Sequence, residues 1–260
     1  MQVFHTPAPI RAVVELGVGD VRITAGDRTD TTVDVLPADR ADFRDLVTAA
    51  EAVVTCDGEE LLVSVPRAGE LPRGGGSVSV AIEVPAGSAV HGSALAADFH
   101  VTGRLGECRI VVDCGHVRLD RTGPLRLDSL LGNVTVGRVA GDVEAVAESG
   151  DVRIDSVEGR TRLTRTQGAT HLGEVTGDVH VSVGSGDVRI GRAHAAVEVR
   201  VGRGDIGVGE AVRGPLALEA EHGTMEIGIA DKAVEVRART GAGDIVIRRA
   251  EFGADEEPSC

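Results

Sequence analysis

Cys108, Cys114 and His116 lie close together in the chain and carry side chains that can hold a metal. Zinc is held most convincingly by paired ligands, C-x2-C above all. The spacing here is C-x5-C-x-H, and Cys108 alternates in phase with Ile110 and Val112, so it reads as a buried structural thiol. The remaining cysteines are Cys56 and Cys260, and four such scattered thiols suit no disulfide framework in 260 residues. Gly202-Arg-Gly204-Asp-Ile-Gly207 spells G-x-G-x-x-G. Phosphate binding needs that loop to open a helix, and here an aliphatic strand pattern follows it. Arg203-Gly204-Asp205 is an adhesion tripeptide by spelling, and Asn133-Val134-Thr135 is a sequon placed in a strand.

Gly-Asp pairs recur and invite comparison with calcium-binding β-rolls, whose turns pack several glycines and an aspartate around oxygen-ligated Ca²⁺. Each corner here has a single aspartate, and Ala169 falls between Asp151 and Asp187. An aspartate after a turn glycine is expected to bond the local backbone instead. The eight histidines are scattered, and no serine sits in a nucleophile elbow. The expectation is no catalytic residue, no metal and no cofactor.

These residues are positioned by an internal repeat. GDVEAVAESGDVRIDSVEG at Gly141–Gly159 returns as GDVHVSVGSGDVRIGRAHA at Gly177–Ala195, 36 residues on (177 − 141), with an inner step of nine (150 − 141). The nine-residue step gives corners at Gly123, Gly132, Gly141, Gly150, Gly159, Gly168, Gly177, Gly186 and Gly204, with Ala195 substituting once. After one inserted residue it resumes at Gly214 and Gly223. Between corners aliphatic pairs alternate with polar residues, as in Val152/Ile154, Val188/Ile190 and Ile206/Val208, the mark of a strand with one buried face. Nine residues cannot hold a strand, a turn and a crossover helix. They suit one side of an 18-residue coil, and stacked coils make a solenoid of parallel strands. The alternative is an antiparallel meander. Eighteen residues apart, outward positions read Arg126, Glu144, Arg162, His180 and Glu198, an alternation that favours weak pairing between coils.

The N-terminal part is less regular. Val13–Ile23 already contains Gly-Asp-Val-Arg-Ile, and Thr31–Leu36 reads as a strand. Asp39 is placed to cap a short helix near Ala41–Ala50, in which Phe43, Leu46 and Val47 have helical spacing. Strands at Ala52–Cys56 and Glu60–Val65 flank the turn pair Asp57-Gly58, Arg67–Gly76 reads as a mobile loop, and Ser77–Val84 is a strand closed by Pro85. The division expected is 1–87 for a β-rich cap, 88–250 for the solenoid and 251–260 for a disordered acidic tail.

The order GVGDVRI, a strand closing on Glu83-Val84-Pro85, then Gly-Asp-Val coils to the end resembles the bacterial putative-adhesin β-strand-repeat family, a domain of unknown function. The resemblance covers nearly the whole chain. It implies a right-handed, single-stranded β-solenoid and brings no catalytic residues. The fold expected is all-β: a parallel β-helix of ~18-residue coils with a β-rich N-terminal cap containing one short helix.

A net charge of −14 argues against nucleic acid and anionic membranes, and two per cent aromatic residues leaves no base-stacking platform. No apolar run approaches the roughly 20 residues of a membrane span. MQVFHTPAPIRAVVELGVGD has no basic segment leading into an apolar one, so the default expectation is a cytoplasmic protein. Function is expected to be that of a non-catalytic scaffold meeting a protein partner or itself. An end-to-end polymer of the bactofilin kind is the first alternative, and a carbohydrate-active β-helix enzyme is the second.

Overall fold

Alternating segments this short can bury an aliphatic face against the opposite side of their own coil. The computed structural model describes residues 1–67, 75–231 and 233–249. The expected loop largely, and the expected acidic tail wholly, fall outside these.

From the middle of the chain onward, strands form two walls. One holds β8 (Cys108–Cys114), β10 (Leu125–Leu131), β12 (Val143–Ser149), β14 (Thr161–Gln167), β16 (Val179–Ser185), β18 (Val197–Arg203), β20 (Leu216–His222) and β22 (Val236–Ala242). The other holds β9 (Val117–Thr122), β11 (Val134–Val139), β13 (Val152–Val157), β15 (Thr170–Val175), β17 (Val188–Ala193), β19 (Ile206–Ala211), β21 (Met225–Ile229) and β23 (Ile245–Arg249). Each strand pairs in parallel with the strand two further on, which excludes the meander for this part. Leu125 stands opposite Val143, a step of 18 (143 − 125). The step is 17 from Cys108 to Leu125, 19 from Val197 to Leu216 and 20 from Leu216 to Val236. The aliphatic pairs of the repeat meet inside; Ile154, Leu163, Leu172 and Ile190 are all buried.

The N-terminal elements are β1 (Gln2–His5), β2 (Arg11–Gly26), β3 (Asp30–Pro37), α1 (Phe43–Ala50), β4 (Val53–Cys56), β5 (Glu60–Ser64), β6 (Ser77–Pro85) and β7 (Ala89–Arg104). β2 and β7 are 16 residues long and turn a corner, so each contributes to both walls. β2 pairs in parallel with β5 and β6 on one side and with β7 on the other. The second strand of the chain is therefore inserted between a coil made of β5 and β6 and the coil of β7. From β7 on, the chain makes about nine coils. At the outer end the direction reverses: β3 lies antiparallel on β6, β1 on β3, and β4 on β5.

Two details of this end differ from expectation. The helix is capped by Asp42, whose side chain accepts the Arg44 N–H, while Asp39 Oδ1 accepts the Ala41 N–H just upstream. Phe43 and Leu46 lie on the exposed side of the helix. Its buried residues are Asp45 and Thr48, which accept the backbone N–H groups of Ser77 and Gly76 at 2.8 Å each. Backbone donors beside β6 need acceptors, so polar helix residues take the inner face.

Candidate interaction surfaces

Two corner stacks turn the chain from one wall to the other. Gly132, Gly150, Gly168, Gly186, Gly204 and Gly223 occupy the first, together with Gly115 and Gly243, all with positive φ. At Gly186 φ is +136°, and a Cβ there would lie 2.0 Å from the carbonyl oxygen of Gly168. Gly123, Gly141, Gly159, Gly177 and Gly214 form the second stack, in which Gly214 alone has positive φ. Crowding restricts the others: a Cβ on Gly177 would lie 2.4 Å from the Gly159 carbonyl oxygen.

The aspartates of the first stack are committed to the neighbouring coil, not to their own turn. Asp98 accepts from the His116 N–H at 2.7 Å, His116 Nδ1 from Asn133 at 3.1 Å, and Asn133 Oδ1 from Asp151 at 2.8 Å. Asp151 accepts from Ala169 at 2.9 Å, where the ladder breaks. It resumes with Asp187 accepting from Asp205 at 3.0 Å and Asp205 from Thr224 at 2.7 Å. At the second stack Asp142 accepts from Arg160 at 2.8 Å.

The three candidate metal ligands do not converge. Cys108 is buried in the lumen, and burial pushes its thiol up to about 12, opposed in part by a hydrogen bond with Thr122. Cys114 and His116 are exposed, and one His116 nitrogen is already an acceptor in the ladder. Gly202–Gly207 runs from the end of β18 round a corner into β19, with no helix following. Arg203 and Asp205 lie on that corner, and Asp205 bonds Thr224. Asn133 sits at a corner just before β11, not within the strand as expected.

The outward column stacks as the repeat implies: Arg126 opposite Glu144, then Arg162, His180 and Glu198. Arg126 and Glu144 form an ion pair at 3.5 Å, and His180 meets Glu198. On the other wall Arg192 pairs with Glu210 and Arg138 with Glu158. Exposed pairs of this kind contribute about 0–1 kcal/mol each.

Sequence reasoning missed Arg165. It takes an inward position in β14, beside Ala147 and Val183 of the adjacent coils, and is 4% exposed. Among the described residues it forms no ion pair, and the Asp151 carboxylate acts on it through space. Its guanidinium donates to the Gly150, Gln167 and Ala169 carbonyls and to the Thr170 hydroxyl, and Nε has no partner. Burial holds its pKa below the usual arginine value. An arginine breaking the inward aliphatic pattern of TRLTRTQ was the available signal.

These features define a parallel β-solenoid with a closed N-terminal end and laterally bonded corners. A family model described as Toastrack DUF4097 matches residues 13–258, and the chain belongs to that family. Similar solved structures include a protein described as a putative adhesin from Parabacteroides distasonis, with 15% identity, 96% of this chain and 95% of that one covered, and a TM-score of 0.39. A protein from the same organism described as a putative lipid binding protein gives 13% identity, 96% coverage of each chain and a TM-score of 0.43. A putative adhesin from Bacteroides fragilis gives 12%, 95% of each chain and 0.36. No curated protein matches the sequence.

Proposed function

We propose that this protein is a non-catalytic interaction scaffold that holds a protein partner against the walls of its solenoid. The observation that carries the reading is the way the stack ends. Four-residue antiparallel strands, β1 and β4, terminate the two walls at the N-terminal side. A parallel coil from a second molecule cannot continue the ladder there, and short edge strands discourage such pairing. End-to-end growth needs both ends open. The walls, by contrast, are flat, because the corners between β8 and β21 are two to four residues long and raise no loop. A groove for a polysaccharide would need such loops. Light scattering after size exclusion, across a range of concentrations, tests this. A mass that stays constant is expected. Growth into long species would overturn the reading in favour of the polymer, and cleavage of an acidic polysaccharide would overturn its non-catalytic part.

A further inference from the structure

Resting on that reading, we propose that the wall formed by β7, β8, β10 and β12 docks a partner-protein segment in which aliphatic side chains alternate with Lys or Arg. Outward positions here depart from the polar rule. Leu95, Val111, Leu130 and Val146 are exposed at outward positions, and Leu131, at the corner end of β10, is 54% exposed. They fall on four consecutive coils. Val111 stands one coil from Asp128, and Asp128 one coil from Val146. Leu131 is level with exposed Cys114. Further along the same column the wall turns polar, with Thr164 and then Ser182. Isolated exposed aliphatics are ordinary; here they alternate with carboxylates in a checkerboard, Val111–Asp128–Val146 along one column and Val111/Asp113, Asp128/Leu130 and Val146/Glu148 along the strands.

Three carboxylates, Asp113, Asp128 and Glu148, are interleaved with these side chains and exposed. None forms an ion pair among the described residues, whereas Glu144, Asp155, Glu158, Glu174 and Glu210 each do. Covering the aliphatic groups would strip water from the three carboxylates beside them. A purely apolar partner would strand those charges, and an acidic one would repel them. A segment carrying both aliphatic and cationic side chains satisfies both demands.

The test uses three synthetic peptides of equal length, alternating Leu–Lys, Leu–Glu and Ser–Lys, titrated against the full chain by calorimetry. Leu–Lys should bind best, with one peptide per chain and no change in the protein's own association state. Val111→Thr, Leu130→Thr and Val146→Thr together should weaken it by about tenfold or more, which is roughly 1.4 kcal/mol. Asp113→Lys, Asp128→Lys and Glu148→Lys together should transfer the preference to Leu–Glu. All six positions face outward, so melting temperatures should hold. Should a variant unfold, protection of the wild-type Cys114 thiol from alkylation by the Leu–Lys peptide replaces it as the readout. Equal binding of Ser–Lys, variants without effect, no binding at all, or no protection of Cys114 would overturn the proposal. Each of these failures leaves the light-scattering result on end-to-end growth standing.

Discussion

Asp151 Oδ1 accepts the backbone N–H of Ala169 at 2.9 Å, and Ala169, one coil on, has no side-chain acceptor for the coil after it. The corner aspartates are thus inter-coil rungs, each holding a backbone donor that leaves its turn without a partner in the wall. Asp205→Ala should remove one rung and lower stability by about 0.5–1.5 kcal/mol. That is roughly 1–6 °C for a chain of this size. Asp205→Asn keeps an oxygen in place and should melt close to the wild type. Because Oδ1 of each rung is already bonded to a backbone donor, and no three His, Cys, Asp or Glu side chains converge on one point among the described residues, a calcium chelator should leave the melt unmoved. A shift of several degrees would assign the corners to metal.

Glycine at the first corner stack answers to geometry as well as to turn preference. Gly186→Val would place Cβ about where the Gly168 carbonyl stands, at a φ that valine resists. The conformation alone costs about 1–3 kcal/mol, before the clash. We expect a fall of roughly 6 °C or more. Gly207→Ala is the control, since its Cβ would meet nothing nearer than Arg189 Cγ at 3.6 Å. An unchanged Gly186→Val melt would remove the corner role.

The repeating half of the fold was legible because period and burial coincide: the residues that alternate in sequence are the ones that point inward. The Gly-Asp-Val-Arg-Ile near the start was legible as a strand, and Gly19 does stand level with Ala97, to which Gly115 is adjacent. What the residues could not reveal is that β2 lies between β6 and β7. Strand identity is local, whereas neighbour order depends on pairing across 78 positions (89 − 11). The helix was legible as a helix, but its buried side was decided by unpaired N–H groups at Gly76 and Ser77, which no periodicity records. The exposed aliphatics of β8, β10 and β12 were readable in principle, as apolar residues at outward positions in CRIVVDC, LRLDSLL and VEAVAES.

Cys108 makes stability depend on alkaline pH. Its folded pKa of about 12 lies above the ordinary thiol value of 9.0, so the folded state keeps a proton that the unfolded chain releases. The stabilisation is full below about pH 9 and is lost as pH rises towards 12. Cys108→Ala should therefore flatten the fall in denaturant stability between pH 9 and pH 11. A variant that falls as steeply as the wild type would show that other groups govern the alkaline limb. In native conditions a thiol reagent should modify exposed Cys114 quickly and Cys108 only on unfolding.

Arg165 sets two physical effects against each other. Its guanidinium bonds three carbonyls and a hydroxyl, yet its charge is buried without an ion pair among the described residues, with Asp151 acting on it only through space and Nε unpartnered. Losing the charge recovers a desolvation cost of several kcal/mol, while each of the four bonds from the charged guanidinium contributes about 1.5–3 kcal/mol net. The carbonyls sit at corners, within reach of water once the arginine is gone, and the inward column beside it is Ala147 and Val183. Even so, Arg165→Val should lose stability, and Arg165→Ala, which leaves a larger void, should melt lower still. Thermal unfolding of the two variants beside the wild type decides between the effects. An Arg165→Val melt at or above the wild type would mean that the buried charge outweighs the carbonyl contacts, whereas a loss of more than about 2 kcal/mol would mean that the arginine fastens the coil at the point where Ala169 interrupts the aspartate ladder.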